Sequence, residues 1–130
     1  MARVDFDALD LAAQLDALSD AERDELPFGV ILLDREGIVR FYSKTEARIS
    51  KYQGQKIGVN FFDLAKRVSK DELWNSIQRA MEAGKVDLDF GWAGDHTDPK
   101  KQFRLRVQSA KKGGVWLAFE RDPEQPGAPA

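Results

Sequence analysis

The chain has 130 residues, which suits one domain, and its 20 basic and 22 acidic side chains leave a formal charge of -2. That balance gives no indication of a nucleic-acid partner. The absence of cysteine excludes disulfides, thiolate nucleophiles and any cofactor joined through a thioether or thioester. The longest apolar run, Phe28 to Leu33, is far below the roughly 18 residues of a membrane span, and aspartates occupy the region where a signal peptide is apolar. We therefore expect a cytoplasmic protein with no membrane partner.

Two short helices are predicted before the first strand. The first covers residues 7 to 18, where apolar side chains recur at helical spacing: Ala8, Leu11, Leu15 and Leu18. Ser19 and Glu22 fit a capping box, which predicts a second helix over residues 20 to 25, ended by Pro27. Residues 1–26 should form an N-terminal helical cap.

A strand covered on both faces is predicted from residue 28, because both alternating rows of residues 28–33 are apolar. Residues 34–37 supply a turn, and residues 38–42 return as the second strand of a hairpin. One row of this strand, Val30 and Leu32, needs an apolar cover on the outer face of the sheet. We expect the leucines of the first helix to provide it: Leu11, Leu15 and Leu18. Residues 43–60 predict loops and single helical turns around 44–49, and residues 61–65 another short helix.

The second half predicts one longer helix followed by three strands. Ser69 and Glu72 make a second capping box, and Gly84 offers a left-handed stop to a helix over residues 70–83. The strands follow from strict alternation of apolar and polar residues: Val86 to Trp92, Phe103 to Gln108 and Val115 to Glu120. The fold class is therefore α+β, one five-stranded antiparallel sheet with short helices on one face, with a core over residues 27–122 and a disordered tail over 123–130.

The polar rows of these strands have bland interpretations and functional ones. Arg104 and Arg106 indicate a solvated strand face, with a basic patch as the alternative. Asp87 and Asp89 indicate the wet side of the sheet, with a catalytic carboxylate pair as the alternative. His96, the only histidine, lies in a loop with too few well-separated ligands for a metal, so no metal site is predicted. Aromatic residues are numerous enough to line a pocket or to fill the core: Phe41, Phe61, Phe62, Trp74, Phe90, Trp92, Phe103 and Trp116.

The element order and several short motifs resemble the PAS sensors, and most closely their photoactive yellow protein branch. The motifs are Phe-Gly-Val-Ile and Leu-Asp within residues 28–34, the turn at Gly37, Tyr42 with Glu46, Ile49-Ser50, and Gly58 with Asn60-Phe61-Phe62. The likeness covers residues 5 to 121. It implies the PAS fold, and a sensory or regulatory role in signalling.

The resemblance also implies a ligand site. It puts the Tyr42 hydroxyl and the Glu46 carboxyl at the phenolate end of a bound p-coumaroyl group, with the hydroxyl of Ser50, a threonine in the family, as support. The other expected ligand-binding residues are Ile31, Tyr52, Phe61, Phe62 and Val68. From the residues alone, Glu46 is interpreted as an exposed helical glutamate or as a partner of Lys44 or Arg48. Tyr42 is interpreted equally as a core residue whose hydroxyl bonds to a buried partner and as a ligand contact.

Two departures from the family concern the ligand. The cysteine that carries the family's chromophore, preceded by proline, is replaced here by Arg67-Val68, and an arginine over the ring is replaced by Tyr52. No covalent chromophore can form, so a cofactor would be a small molecule held without a covalent bond.

The expected function is a PAS-type signalling module that binds a small molecule or acts through protein–protein contact, and not an enzyme. Its partner would be a signalling protein or a second copy of the chain, with a homodimer formed through the N-terminal helix. The alternative is a small cone-shaped α+β enzyme of the isomerase or dehydratase kind, using Tyr42 and Glu46.

Overall fold

The computed structural model describes residues 4–50, 56–64, 70–94 and 102–121. The order of elements is two helices, a hairpin, three helices and three strands. The helices are α1 (Leu11–Ala17), α2 (Asp20–Asp24), α3 (Lys44–Ser50), α4 (Phe61–Leu64) and α5 (Lys70–Glu82), and the strands are β1 (Gly29–Leu33), β2 (Val39–Tyr42), β3 (Asp87–Gly94), β4 (Gln102–Ser109) and β5 (Val115–Arg121).

The five strands form one sheet in the order β2-β1-β5-β4-β3, and every neighbouring pair is antiparallel. This confirms the predicted α+β sheet. The face that packs against α4 and α5 is called the inner face, and it holds one apolar cluster that includes Ile31, Leu33, Phe61 and Ile77. The opposite face, called the outer face, packs against α1. Each face of the sheet therefore has its own apolar core.

The outer face is covered by the N-terminal residues. Leu11 and Leu15 are buried in one cluster with Val30 and Trp116, and Leu18 and Leu32 pack against the same cluster. The prediction that the leucines of the first helix cover the outer row of β1 is confirmed. Trp116 and Phe41 belong to this cluster and contact each other edge to face at 6.1 Å, so they do not line the inner face.

Two polar side chains of β4, Arg106 and Gln108, hold the N-terminal backbone, and the prediction of a solvated strand face is wrong for Arg106. Arg106 is only 7% exposed, and its Nη1 donates to the carbonyls of Phe6 and Ala8 at 2.7 Å each. Gln108, also 7% exposed, accepts from the Ala12 N–H at 2.8 Å and donates to the Leu9 carbonyl at 3.0 Å. Sequence alternation identified an outward-facing row but not the segment that lies over it.

These contacts also explain why α1 begins at Leu11 rather than at residue 7. In a helix from residue 7, the Ala12 N–H would donate to the Ala8 carbonyl, four residues earlier. Instead Gln108 takes that N–H and Arg106 takes that carbonyl. The helical spacing of the apolar residues correctly predicts a helix here, but tertiary hydrogen bonds replace its first turn, over residues 7 to 10.

Local helix signals were read correctly where they can be checked. Ser19 and Glu22 form the predicted capping box, with N–H to oxygen distances of 3.0 and 3.2 Å. The bond that the Ser19 N–H donates to the Glu22 carboxylate is the main cause that lowers the pKa of this carboxyl. Gly84 follows α5 with φ of +98°, as predicted, whereas Ser69 lies outside the described residues. Of the helices in the described ranges, none is long and apolar enough to cross a membrane.

Strict alternation fails on β3. Its register against β4 shifts between Asp89 and Trp92, so one extra residue is accommodated there. Phe90, expected in the apolar row, is 44% exposed as a result. Asp87 and Asp89 are exposed, as predicted, and each is bonded to a neighbour on β4: Asp87 accepts from Gln108 at 3.1 Å, and Asp89 from Arg104 at 3.3 Å.

Gln108→Ala should destabilise the protein by about 1–3 kcal/mol, because the buried Ala12 N–H and Leu9 carbonyl lose their partner. Urea denaturation followed by tryptophan fluorescence measures the change. The matched control is Gln78→Ala on the exposed side of α5, which should stay within about 0.5 kcal/mol of wild type. Equal midpoints for the two variants would show that Gln108 does not hold the N-terminal segment.

Gly114→Ala should destabilise the protein more than Gly84→Ala. Both glycines have positive φ, +78° and +98°, so alanine is strained at either position. At Gly114 an added Cβ would also collide with the Leu33 carbonyl oxygen and lie 2.8 Å from the Cα of Asp34, whereas nothing lies within 4 Å at Gly84. Thermal unfolding should give a cost of roughly 1 kcal/mol at Gly84 and more than about 3 kcal/mol at Gly114. Equal costs at the two glycines would contradict the close approach of the β4–β5 turn, which holds Gly114, to the start of the β1–β2 turn at Leu33 and Asp34.

Candidate functional site

The candidate site lies where β1 and β2 meet the start of α3. Tyr42 pairs with Ile31 across the two strands, and both contribute to the inner apolar cluster, Ile31 fully buried and Tyr42 partly. Helix α3 begins at Lys44, two residues after Tyr42, so the helix leaves the sheet directly beside this pair. Strand pairing therefore fixes where the first turn of α3 begins.

Ser43 attaches α3 to β1. Its side chain is fully buried, and its hydroxyl oxygen accepts from the Val30 N–H and the Glu46 N–H, both at 3.1 Å. The Ser43 N–H donates to the Val30 carbonyl at 3.0 Å. Serine at this position caps the helix and pairs with the strand at once, which holds the first turn of α3 against β1.

Glu46 lies over Gly29 on the inner face of β1. It is 4% exposed, so the interpretation as an exposed helical glutamate is wrong. A Cβ added at Gly29 would be 2.8 Å from the Cβ of Glu46 and 2.9 Å from its Cδ, closer than real Cβ contacts allow. The glycine is therefore needed for the carboxyl side chain to reach the sheet.

Two phenylalanines form an aromatic wall in the same core. The Phe61 N–H donates to the Gly37 carbonyl at 2.9 Å and the Phe62 N–H to the Asn60 side chain at 2.8 Å, which positions α4 against the β1–β2 turn. The two rings contact each other edge to face at 5.2 Å. Phe62 also contacts Trp74 at 4.9 Å, and Phe61 contacts Phe119 at 6.3 Å.

The structure places four of the predicted ligand-binding residues in the inner apolar cluster, Ile31, Tyr42, Phe61 and Phe62, and it buries a fifth, Glu46, over Gly29. Their role as a binding site stays a prediction. Tyr52 and Val68 lie outside the described residues, and Ser50 is described only as the last residue of α3, without its side chain.

Sequence reasoning missed three residues at this site. Gly29 was noted only as part of a motif, although its missing side chain makes room for Glu46. Ser43 and Glu46 have the spacing of a capping box, which is the sequence signal for Ser43 as the cap of α3. Lys56, whose Nζ lies 5.7 Å from the centre of the Tyr42 ring, carries no sequence signal, because residues 43–55, which include α3, separate it from Tyr42 along the chain.

Metal coordination gains no support from the geometry. Within residues that the structure describes, no group of three or more histidine or carboxylate side chains is arranged to hold a metal ion. His96 lies outside those residues. The site as described offers a carboxyl, a phenol and an ammonium group beside apolar and aromatic surface.

Comparison with known proteins gives consistent results. The chain is 25% identical over 124 residues to photoactive yellow protein from Rhodothalassium salexigens. The aligned residues cover 93% of this chain and 99% of that protein. It is 27% identical over 99 residues to photoactive yellow protein from Cereibacter sphaeroides, covering 74% and 80%. No protein-family model matches.

Two solved structures are similar as well. One is the photoactive yellow protein domain of the sensor histidine kinase Ppr from Rhodospirillum centenum, with a TM-score of 0.64, 25% identity, and coverage of 81% of this chain and 94% of that one. The other is the sensor region of a sensor histidine kinase, with a TM-score of 0.52, 17% identity, and coverage of 74% and 40%. The second shows the fold alone. The chain has the PAS-like fold and is homologous to photoactive yellow protein and to the corresponding domain of a sensor histidine kinase. This homology is consistent with a role as a sensory signalling module.

Proposed function

We propose that the chain is a cytoplasmic sensor that binds a small aromatic molecule without a covalent bond and signals through its N-terminal helices. The ligand would contact Tyr42, Glu46 and Ser50 at its polar end, and Ile31, Tyr52, Phe61, Phe62 and Val68 along its apolar part. The observation that carries the proposal is the burial of the Glu46 carboxyl over Gly29. The lack of cysteine excludes a thioester link.

The chemistry of a buried carboxyl supports a binding role. A carboxyl costs free energy to bury in apolar surroundings, so such a group is retained where it has a hydrogen-bonding task. A protonated carboxyl donates a hydrogen bond to a ligand oxygen, and loss of that proton leaves a buried charge that repels an anionic ligand. Protonation at Glu46 would therefore act as the switch.

Contacts between α3 and the N-terminal helices supply a route for the signal. The Lys44 N–H donates to the Asp24 carboxylate at 2.8 Å, and the Thr45 hydroxyl donates to the Leu26 carbonyl at 2.7 Å. Asp24 is the last residue of α2, and Leu26 lies two residues later in the connection to β1. A shift of α3 on ligand binding would displace these residues and loosen α1 from the outer face.

The partner would be a signalling protein or a second copy of the chain, docked where α1 now lies or through α1 itself. The relatives named above are photoactive yellow proteins and sensor regions, which favours a sensor over an isomerase- or dehydratase-like enzyme using Tyr42 and Glu46. Size-exclusion chromatography with light scattering of the full chain, with and without ligand, distinguishes the two kinds of partner.

Purified protein should bind 4-hydroxycinnamate, and Glu46→Leu should weaken that binding by about tenfold, because the ligand oxygen loses its partner. Isothermal titration calorimetry measures the affinity, and native mass spectrometry of the untreated protein reveals any molecule carried from the cell. The control is Glu36→Leu in the exposed β1–β2 turn, which should bind as wild type does. If wild type binds no aromatic probe and carries no added mass, a ligand sensor is ruled out in favour of an interaction module.

Thr45→Val should uncouple the N-terminal helices from the site, because it keeps the shape of the side chain but loses the bond to the Leu26 carbonyl. Ligand should change amide hydrogen exchange over Leu11–Ala17 several-fold in wild type and markedly less in the variant, at equal occupancy. Ser76→Ala on α5 serves as the control. An undiminished response in Thr45→Val would argue against this route.

A further inference from the structure

Residues 4–18, called the covering segment, are both apolar and acidic. The segment contributes Phe6, Leu11 and Leu15 to the buried cluster on the outer face of the sheet. It also carries four aspartates and no basic residue: Asp5, Asp7, Asp10 and Asp16. If the segment leaves, the apolar surface beneath it, which includes Val30 and Trp116, is exposed. An exposed apolar patch of this kind marks a binding surface for another protein.

The two arginines of β4 that face the covering segment are neutralised unequally. Arg104 lies 2.7 Å from the Asp7 carboxylate, 3.3 Å from that of Asp89 and 3.6 Å from that of Glu120. Two of these three carboxylates belong to the sheet, on β3 and β5. Arg104 therefore keeps partners of opposite charge when the covering segment leaves.

Arg106 is buried without such a partner. It is 7% exposed, and within the described residues its hydrogen bonds go to two backbone carbonyls, those of Phe6 and Ala8. Its Nε is a buried donor without a partner in the same part of the chain. A buried charge is costly unless a group of opposite charge accompanies it. The covering segment thus leaves one place on the outer face where a carboxylate would be stabilised.

Backbone carbonyls can accept from Arg106 only because α1 starts late. The carbonyls of Phe6 and Ala8 precede the helix, which begins at Leu11. In a continuous helix each of these carbonyls would accept from an N–H four residues later, so the arginine would need a side-chain acceptor. A carboxylate is the strongest acceptor for a guanidinium group, because the hydrogen bonds are charge-assisted.

We propose that the outer face, once the covering segment leaves it, binds an amphipathic helix of a partner protein, with the apolar side of the helix on the sheet and a carboxylate of the helix on Arg106. This inference rests on the proposed function, which supplies the release of α1, and adds the chemistry of the partner to it. The covering segment has the advantage of being tethered, which raises its effective concentration at the face. The partner has the ion pair that the covering segment lacks, so it binds when a signal weakens the docked segment.

The test uses the full chain with Ala13→Gly and Ala17→Gly, called the loosened variant. Both alanines are exposed on α1, and glycine there weakens the helix without changing the sheet. The probes are two labelled peptides with the sequence of residues 4–18, one carrying Ala8→Glu and the other Ala8→Gln. Position 8 is chosen because its carbonyl lies 2.7 Å from Arg106 Nη1. Fluorescence anisotropy gives the affinity of each peptide.

The glutamate peptide should bind the loosened variant about tenfold more tightly than the glutamine peptide. Adding Arg106→Met should reduce this ratio to about one, and Arg106→Lys, which keeps a charge, should retain part of it. Arg104→Met is the matched control and should leave the ratio near tenfold, because Arg104 already has carboxylate partners on the sheet. The ratio of two affinities on one protein cancels any further loosening of the covering segment that a substitution causes.

Equal affinities of the two peptides, or a tenfold ratio that persists in Arg106→Met, would overturn the proposal. It would also be overturned if neither peptide binds although amide hydrogen exchange over Leu11–Ala17 is faster than in wild type. Light scattering that shows the loosened variant as a dimer would assign the face to a second copy instead. Failure of wild type to bind 4-hydroxycinnamate would contradict the ligand-binding function alone, since the peptides test the outer face without a ligand.

Discussion

Strand β1 is buried on both of its faces, and each face holds a different part of the molecule. On the inner face Gly29 lies against the Glu46 side chain and Ile31 belongs to the inner apolar cluster, and on the outer face Val30 and Leu32 pack in one cluster with the leucines of α1. Ser43 adds bonds to both the N–H and the carbonyl of Val30. One strand therefore joins the candidate site to the N-terminal helices, and neither side can repack without affecting the backbone of the other.

Much of the fold could be predicted because its signals are local. The Ser19–Glu22 box, the stop at Gly84 and the two apolar rows of β1 each depend on residues within a few positions of one another. The errors arise where distant residues compete for a backbone group. Arg106 and Gln108 remove the first turn of the predicted first helix, and an extra residue in β3 breaks the alternation of that strand.

The site shows the same division. The positions of Tyr42 and Ile31 follow from the pairing of two predicted strands. The position of the Glu46 side chain depends on which group accepts the hydrogen bond of the Ser43 N–H, and the local spacing predicts the wrong acceptor. Ser43 and Glu46 are three residues apart, and a capping box would return the carboxylate to the Ser43 N–H. That N–H donates to the Val30 carbonyl, and the Glu46 side chain lies over Gly29. Strand pairing thus competes with helix capping for one N–H, and sequence alone does not rank the two.

Non-covalent binding would determine what the proposed sensor reports. A ligand without a covalent bond exchanges with solution, so the occupied fraction follows the ligand concentration, and it can shift the N-terminal helices only by its difference in affinity for their docked and undocked states. A tenfold difference corresponds to about 1.4 kcal/mol. That is comparable to one of the buried hydrogen bonds that hold the N-terminal backbone, and within the described residues Arg106 Nε is a buried donor without a partner. The docked segment is held by several such bonds and by the apolar cluster of the outer face, so a tenfold preference of the proposed ligand would change the population of the undocked state without making it the dominant one.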